Sequence, residues 1–129
     1  MAKILIVDDD PVLSRLYRTI LENAGHTVEN ASDGEEALQK AKDIKPSLIL
    51  ADIMMPRMDG LSFLKKVKAL KDMKKTPVIL MTNLKDEDNA KTAMDEGAFK
   101  IIWKNELKPD QVAGLINEAL SLHSTPGVE

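Results

Sequence analysis

Five short apolar runs alternate with five helix-like segments, and this alternation restricts the fold more than any other feature of the sequence. Four of the runs are almost continuous in Ile, Leu, Val and Met, which is typical of strands covered on both faces of a parallel sheet. The run from Thr27 to Ala31 is mixed in polarity, which favours an edge position. The predicted strands are Lys3 to Val7, Thr27 to Ala31, Ser47 to Ala51, Pro77 to Met81 and Lys100 to Trp103.

The segments between these runs repeat apolar residues at helical spacing. Asp10 followed by Pro11 predicts an N-cap and a first helical residue, and Gly25 marks the end of that helix. Its predicted apolar stripe is Leu13, Leu16, Tyr17, Ile20, Leu21 and Ala24. The other predicted helices run from Gly34 to Ile44, from about Gly60 to Leu70, from about Lys85 to Glu96, and from near Pro109 through Leu120.

Strict β/α alternation predicts an α/β fold, a doubly wound five-stranded parallel sheet with helices on both faces and right-handed crossovers. Because the polar edge strand is second in the chain, the expected strand order is the flavodoxin-like 2-1-3-4-5. A chain of 129 residues fits one domain. We expect this domain to span residues 1–121 and the polar residues 122–129 to form a C-terminal tail.

Composition excludes several classes of function. The chain has no cysteine, so disulfides, thiolate metal sites and cysteine nucleophiles are absent. The net charge of -3 argues against direct binding to nucleic acid, which favours a clear basic excess. No apolar run approaches membrane-spanning length and the N-terminus does not resemble a secretion signal, so we expect a cytoplasmic protein without a membrane partner.

Polar residues follow four of the predicted strands. Asp8, Asp9 and Asp10 come after the first strand, and Asp52, Thr82 and Lys104 end the third, fourth and fifth. In open parallel sheets, ligands bind beyond the carboxyl ends of the strands, where these residues converge. Carboxylates about 4 Å apart repel each other by roughly 4 kcal/mol per pair at an effective dielectric constant near 20. A hard divalent cation such as Mg²⁺ removes that repulsion, and a lysine and a hydroxyl beside it complete a pocket for a phosphoryl group.

Taken singly, these residues also have ordinary structural roles. Asp10 is a typical N-cap, and Asp52 at a strand end is typical of a turn. Thr82 alone is a strand-end hydroxyl that satisfies the backbone, and Lys104 alone is a solvated surface charge. The hypothesis of a functional site therefore rests on their joint occurrence at one edge of the predicted sheet.

The same residues resemble the receiver domain of two-component response regulators. The resemblance rests on V-D-D-D from Val7 to Asp10, on D-I-M-M-P-R-M-D-G from Asp52 to Gly60, on Thr82, and on I-I-W-K from Ile101 to Lys104. It covers about residues 2 to 121, and the segment after Asp52 is its most specific motif. Members of this family have the 2-1-3-4-5 strand order, so the topology prediction is not independent of the resemblance.

The resemblance implies a phosphorylation-controlled signalling switch rather than an enzyme that acts on other substrates. By position, Asp52 is the phosphoacceptor, whose carboxylate attacks phosphorus and becomes an acyl phosphate. Thr82 donates its hydroxyl to the transferred group, and Lys104 pairs with one of its oxygens. Pro56 and Gly60 shape the loop after Asp52, with the glycine expected to provide conformational freedom.

The resemblance also implies a cofactor and partners. Mg²⁺ is the expected cofactor, with Asp9 and Asp52 as direct ligands, Asp8 acting mostly through water, and the backbone carbonyl of Met54 as a further oxygen. The phosphoryl donor is a histidine kinase or a phosphotransfer protein, and the downstream protein is unknown. A homodimer through the face of the fourth helix, fifth strand and fifth helix is a further expectation.

Three positions depart from the family pattern. Ile101 replaces the usual Tyr or Phe three residues before the lysine, Asn105 replaces the proline after it, and Asn83 replaces a small residue after the threonine. A second hypothesis is therefore a degenerate receiver, a protein-binding module that no longer couples phosphorylation to output.

Two hypotheses come from other functional classes. A Mg²⁺-dependent phosphohydrolase that works through an aspartyl phosphate usually carries a second acid where this chain has Met54. A flavin mononucleotide carrier shares the strand order, but the acids after the first strand would repel its phosphate.

Overall fold

The computed structural model describes residues 2–55, 57–82, 87–104 and 108–123, without the side chains of Glu87 and His123. Five parallel strands form one sheet in the order β2-β1-β3-β4-β5, which confirms the predicted α/β fold and topology. The strands are β1 Lys3–Val7, β2 Thr27–Ala31, β3 Leu48–Asp52, β4 Val78–Thr82 and β5 Lys100–Trp103. The helices are α1 Pro11–Asn23, α2 Gly34–Ile44, α3 Gly60–Ala69, α4 Glu87–Asp95 and α5 Pro109–His123, with a 3₁₀ helix over Lys71–Met73.

Two hydrophobic clusters lie on opposite faces of the sheet. Helices α2, α3 and α4 cover one face with buried side chains that include Ala37, Phe63 and Ala93. Helices α1 and α5 cover the other face with Tyr17, Ile116 and their neighbours. Every residue of β3 and β4 is buried, as expected for central strands that are covered on both sides.

The first helix buries a narrower stripe than the sequence pattern predicts. Tyr17 and Leu21 are buried, but Leu16 is 44% exposed, and Ala24 is an exposed C-cap outside the helix. Ser14 is buried instead, and its hydroxyl donates to the backbone carbonyl of Asp8 at 3.4 Å. The predicted stripe is therefore wrong at Leu16 and Ala24. Within the described residues, the main partners of α1 are α5, β1 and β2, and Leu16 lies outside these contacts.

Several predicted boundaries differ by one or a few residues. Strands β3 and β4 each lie one position later than predicted, so that Asp52 and Thr82 belong to the ladder with their neighbours. Helix α3 ends at Ala69, one residue earlier than predicted. Helix α5 continues to His123, so residues 122 and 123 belong to this helix and not to the predicted tail. The predicted helix start at Lys85 and residues 124–129 lie outside the described residues, and the domain boundary at residue 121 stays a prediction.

None of the helices within the described ranges is long and apolar enough to cross a bilayer.

Helix α1 begins where the sequence predicts, because Asp10 Oδ1 accepts hydrogen bonds from the backbone N–H groups of Val12 at 3.0 Å and Leu13 at 3.3 Å. Asp10 is thus an N-cap, as its sequence context indicated.

Gly60 is required for space rather than for an unusual backbone conformation. A Cβ atom at this position would lie 2.5 Å from the backbone oxygen of Asp52 and 2.7 Å from the Cα atom of Ile53. The Gly60 N–H also donates to the backbone oxygen of Ile53 at 2.8 Å. Its φ angle is not in the left-handed region, so the expectation that Gly60 provides conformational freedom is wrong. Helix α3 starts directly against the end of β3.

This contact predicts a large difference between two glycine-to-alanine substitutions. Gly60→Ala should lower the free energy of unfolding by about 1–3 kcal/mol, because the added methyl group collides with backbone that cannot rotate away. Gly114→Ala in α5 adds the same methyl group with nothing within 4 Å and should raise stability by up to about 1 kcal/mol. Urea unfolding of both variants measures the difference, and equal effects would contradict the contact.

Candidate functional site

The predicted site residues meet at the carboxyl edge of the sheet. Asp8 follows β1, while Asp52 and Thr82 are the last residues of β3 and β4. Lys104 follows β5, and its backbone N–H donates to the carbonyl oxygen of Thr82 at 2.8 Å. Because β1, β3, β4 and β5 are neighbours in a parallel sheet, their ends lie side by side. The expectation that sequence-distant residues converge here is confirmed.

Three carboxylates form a compact acidic cluster at this edge. Asp8, Asp9 and Asp52 each place one carboxylate oxygen within 4.8 Å of the others. Asp8 and Asp52 are buried, whereas Asp9 is exposed to solvent. Backbone N–H groups hold the two buried carboxylates, since Asp10 donates to Asp8 Oδ1 at 2.9 Å and Met54 donates to Asp52 Oδ1 at 3.1 Å. We call these three residues the acidic cluster.

Lys104 joins the acidic cluster through its ammonium group. Its Nζ atom lies 2.6 Å from Asp52 Oδ2 and 3.3 Å from Asp8 Oδ2, and the lysine side chain is only 11% exposed. Burial by itself would lower the pKa of Lys104, but the hydrogen bond and charge of Asp52, and then those of Asp8, raise the pKa above its ordinary value. The ammonium therefore stays charged at neutral pH.

Burial dominates the electrostatics of Asp8. It raises the pKa of this carboxyl above the ordinary value, although the hydrogen bond from Asp10 and the charge of Lys104 act in the opposite direction. The nearby charge of Asp52 adds to the increase. One ammonium group therefore compensates the charge at Asp8 only in part, and further positive charge would stabilise the ionised form.

The donor set fits a hard divalent cation. Three carboxylate oxygens in a compact group, two of them from buried residues, are the ligand type that Mg²⁺ prefers. Asp9 is open to solvent, which suits an ion that retains several of its waters. Two of the three carboxylates already have a protein hydrogen bond that fixes their orientation. The cluster can therefore hold a cation without rebuilding the backbone.

Thr82 and Met54, the two other predicted site residues, lie beside the acidic cluster. Thr82 is buried between the ends of β3 and β5, at the level of the acidic cluster. Met54 is 62% exposed, while its backbone N–H donates to Asp52 Oδ1. Pro56, Asn83 and Asn105 lie outside the described residues.

Sequence reasoning missed an ion pair beside this edge. Arg57, in the loop between β3 and α3, donates to Asp33 Oδ2 from Nε at 3.0 Å and from Nη2 at 2.6 Å. Asp33 had a detectable signal, because an aspartate three residues before Glu36 is typical of an N-cap. Arg57 had none, since its partner is 24 residues away and lies in another loop.

The pKa of Asp8 leads to a pH-dependent prediction. A carboxyl whose pKa is higher in the folded state than in the unfolded state binds its proton more firmly when folded. Its contribution therefore makes the free energy of unfolding fall as pH rises from the ordinary value of 3.8 through the raised pKa. In metal-free buffer, Asp8→Asn should be more stable than the wild type at pH 7, and this difference should shrink towards pH 4.

Urea unfolding at several pH values measures this difference. Asp59→Asn is the matched control, because it makes the same chemical change at the exposed N-cap of α3, where asparagine caps equally well. Parallel pH profiles for wild type and Asp8→Asn would contradict the prediction.

Comparisons with a family model and with curated proteins identify the same family. A family model described as "Response regulator receiver domain" matches residues 4–117. The chain is 40% identical over 102 residues to the alkaline phosphatase synthesis transcriptional regulatory protein PhoP of Bacillus subtilis, covering 79% of this chain and 42% of that protein. It is 33% identical over 115 residues to a gliding motility regulatory protein of Myxococcus xanthus, covering 89% of this chain and 15% of the relative. The chain thus spans less than half of the length of either relative.

Solved structures resemble the chain over nearly its whole length. The chemotaxis response regulator CheY4 of Vibrio cholerae matches with a TM-score of 0.86 and 31% identity, over 92% of this chain and 98% of that chain. The receiver domain of a signal transduction histidine kinase from Syntrophus aciditrophicus matches with a TM-score of 0.88 and 32% identity, over 98% and 95% of the two chains. The resemblance inferred from the sequence is confirmed. The chain belongs to the response regulator receiver domain family of two-component systems, whose members are phosphorylation-controlled signalling switches.

Proposed function

We propose that Asp52 is the residue at which this receiver domain is phosphorylated. The single observation that carries the proposal is the contact of Lys104 Nζ with both Asp52 and Asp8, at the edge where Asp9 completes the acidic cluster. An ordinary ion pair with a solvent-exposed partner would not indicate a phosphorylation site. Here a buried carboxylate is held between a backbone N–H and an ammonium group, and it ends a central strand.

Asp52 acts as the nucleophile in phosphoryl transfer, and Met54 orients its carboxylate. An oxygen of Asp52 attacks phosphorus, and the bond between phosphorus and the donor's leaving group breaks, which leaves an acyl phosphate on the chain. A carboxylate paired with an ammonium group needs no general base to act as nucleophile. The Met54 N–H fixes the other oxygen of Asp52 and so limits rotation of the carboxylate.

Charge compensation then follows from groups that are already in place. Lys104 can exchange its contact with Asp52 for one with a phosphoryl oxygen while it remains near Asp8. Thr82, at the end of the neighbouring strand, supplies a hydroxyl donor for a second oxygen. Positioning and electrostatics supply the catalysis, as is general for phosphoryl transfer.

Receiver domains bind Mg²⁺ at an acidic pocket, and we assign that role here to Asp8, Asp9, Asp52 and the backbone carbonyl of Met54. When it is bound, the ion supplies positive charge that offsets the carboxylates and the incoming phosphoryl oxygens. The partly compensated burial of Asp8 supports this assignment, because an added cation stabilises the ionised form of that carboxyl.

Several finer expectations are proposals of the same kind. The phosphoryl donor is a histidine kinase or phosphotransfer protein, and the chain catalyses only its own phosphorylation and dephosphorylation. A cytoplasmic location, the lack of direct contact with nucleic acid, and an unidentified downstream protein also stay predictions. The degenerate-receiver hypothesis remains the alternative, and labelling with a phosphodonor separates the two.

The predicted homodimer face has one supporting feature. A groove of about 410 Å³ lies between α4 and β5, and Met94, Ile101 and Trp103 contribute to its lining. Met94 is exposed, and Ile101 occupies the position where the family usually has an aromatic ring. The groove is therefore a candidate surface for a second copy or an output partner.

The phosphoacceptor assignment predicts the outcome of one substitution. Asp52→Asn should abolish the mass increase of one phosphoryl group that a small-molecule phosphodonor and Mg²⁺ produce in the wild type, because an amide oxygen is a poor nucleophile. Asp59→Asn should be labelled as fast as the wild type, since Asp59 Oδ1 accepts the Ser62 N–H and so caps the start of α3. Intact-protein mass spectrometry measures both, and undiminished labelling of Asp52→Asn would refute the assignment.

The metal assignment predicts a stabilisation that depends on Asp9. Binding to the folded state alone raises the free energy of unfolding by about 2.7 kcal/mol when Mg²⁺ is present at one hundred times its Kd. The melting temperature should therefore rise with Mg²⁺, and Asp9→Asn should lose most of that rise. Asp10→Asn is the control, because the Asp10 carboxylate caps α1. An equal rise in Asp9→Asn and wild type would place the ion elsewhere.

A further inference from the structure

The ion pair between Asp33 and Arg57 links two loops that flank β1. Asp33 follows β2 and precedes α2, whereas Arg57 lies in the loop between β3 and α3. In the sheet, β1 separates β2 from β3, so the pair spans the strand end that carries Asp8. The Arg57 Nε and Nη2 groups donate to the same oxygen, Asp33 Oδ2, at 3.0 Å and 2.6 Å.

Asp33 is firmly held on its own side of the pair. Its side chain is 6% exposed, and its other oxygen accepts the Glu36 N–H at 2.9 Å, which caps α2. The Glu36 N–H, followed by the hydrogen bond from Arg57, lowers the pKa of this carboxyl. Asp33 is therefore a charged anchor on the rigid first turn of a helix.

Arg57 has a backbone conformation that needs such an anchor. Its φ angle is 65°, in the left-handed region, which costs a non-glycine residue about 1–2 kcal/mol. The arginine side chain is 64% exposed, so burial does not hold the residue in place. The two-donor contact to Asp33 opposes relaxation of this loop.

The loop also touches α2 at the next residue. A Cβ atom on Gly34 would lie 2.6 Å from the backbone oxygen of Met58 and 2.7 Å from its Cβ atom. Residues 57 and 58 thus rest on residues 33 and 34, and Gly60 fixes the end of the loop against Asp52 and Ile53. The first half of the loop carries Met54, whose N–H holds Asp52 Oδ1.

From these contacts we infer that Arg57 and Asp33 are a positioning pair, which fixes the loop that orients the Asp52 carboxylate and presents the backbone of Met54. The inference rests on the proposed function, because it concerns the geometry of that same site. Neither residue touches the phosphoryl group, and both act through the loop. Loss of the pair allows the loop to relax, and a displacement of this kind near a reacting group reduces the rate of reaction.

The test uses Arg57→Gln and, as a matched control, Lys45→Gln. Lys45 is also a cation with a left-handed φ, of 48°, and it pairs with an acid on another element, Asp72, at 3.3 Å. That pair joins the end of α2 to the 3₁₀ helix, away from the acidic cluster. The two substitutions therefore each remove a cation that pairs with an acid at one end of α2, although Asp33 is buried and Asp72 is exposed.

Three quantities are measured for each variant: the rate of labelling by a small-molecule phosphodonor, the Kd for Mg²⁺ from calorimetric titration, and the free energy of unfolding in urea. Arg57→Gln should slow labelling and weaken Mg²⁺ binding by about tenfold each. Lys45→Gln should change the labelling rate and the Kd for Mg²⁺ by no more than twofold, even if it lowers the free energy of unfolding as much as Arg57→Gln does. Arg57→Lys, which retains the charge without the paired guanidinium donors, should recover part of both.

A double substitution shows whether the two residues act as one unit. Asp33→Asn keeps an N-cap on α2 but removes the charge, and combining it with Arg57→Gln should add no further loss of labelling rate or Mg²⁺ affinity. Labelling and Mg²⁺ binding of Arg57→Gln within twofold of the wild type would overturn the inference while the proposed function stood. A wild type that is not labelled at all, or is labelled equally after Asp52→Asn, would overturn both.

Discussion

One ammonium group lies between two carboxylates that the parallel sheet brings together at its carboxyl edge. Asp8 and Asp52 end or follow adjacent strands, so their separation is set by the spacing of the ladder. Lys104 follows the strand at the far edge of the sheet and reaches across to both. With Asp9, three carboxylates face one ammonium group, so the charge compensation is incomplete, and an incoming cation relieves repulsion that the backbone cannot relieve by moving.

Backbone hydrogen bonds keep this edge rigid. Asp8 is tied to the start of α1 through Asp10, and Asp52 to its following loop through Met54. Lys104 is tied by its own N–H to Thr82 on the neighbouring strand. Each of these bonds lies between residues close in the chain or on adjacent strands, so the site is a direct product of sheet geometry.

The sequence predicts the sheet and the convergence at its edge because both follow from local patterns. Apolar runs and helical periodicity give the element order, and the rule for parallel crossovers gives the topology. Boundaries at β3 and β4 were displaced by one residue, since pairing between strands, rather than local composition, decides where a ladder ends. Leu16 was wrongly assigned to the core because periodicity does not show how much of a helix is covered.

Contacts between one loop and another element could not be predicted from the sequence. Nothing local marks Arg57 as the partner of Asp33, and its left-handed φ is visible only in the folded chain. The reason for Gly60 was likewise misjudged, because a lack of space beside Asp52 leaves no trace in the order of residues. Both cases concern the fit of one loop against another element, which no pattern of polarity encodes.

The position of Trp103 has an optical consequence. It is the only tryptophan of the chain, it ends β5 in register with Thr82, and it precedes Lys104. Its indole also lines the groove between α4 and β5. Emission from this domain therefore arises at a point between the charged edge and a candidate docking surface, and intrinsic fluorescence can report on both without an attached dye.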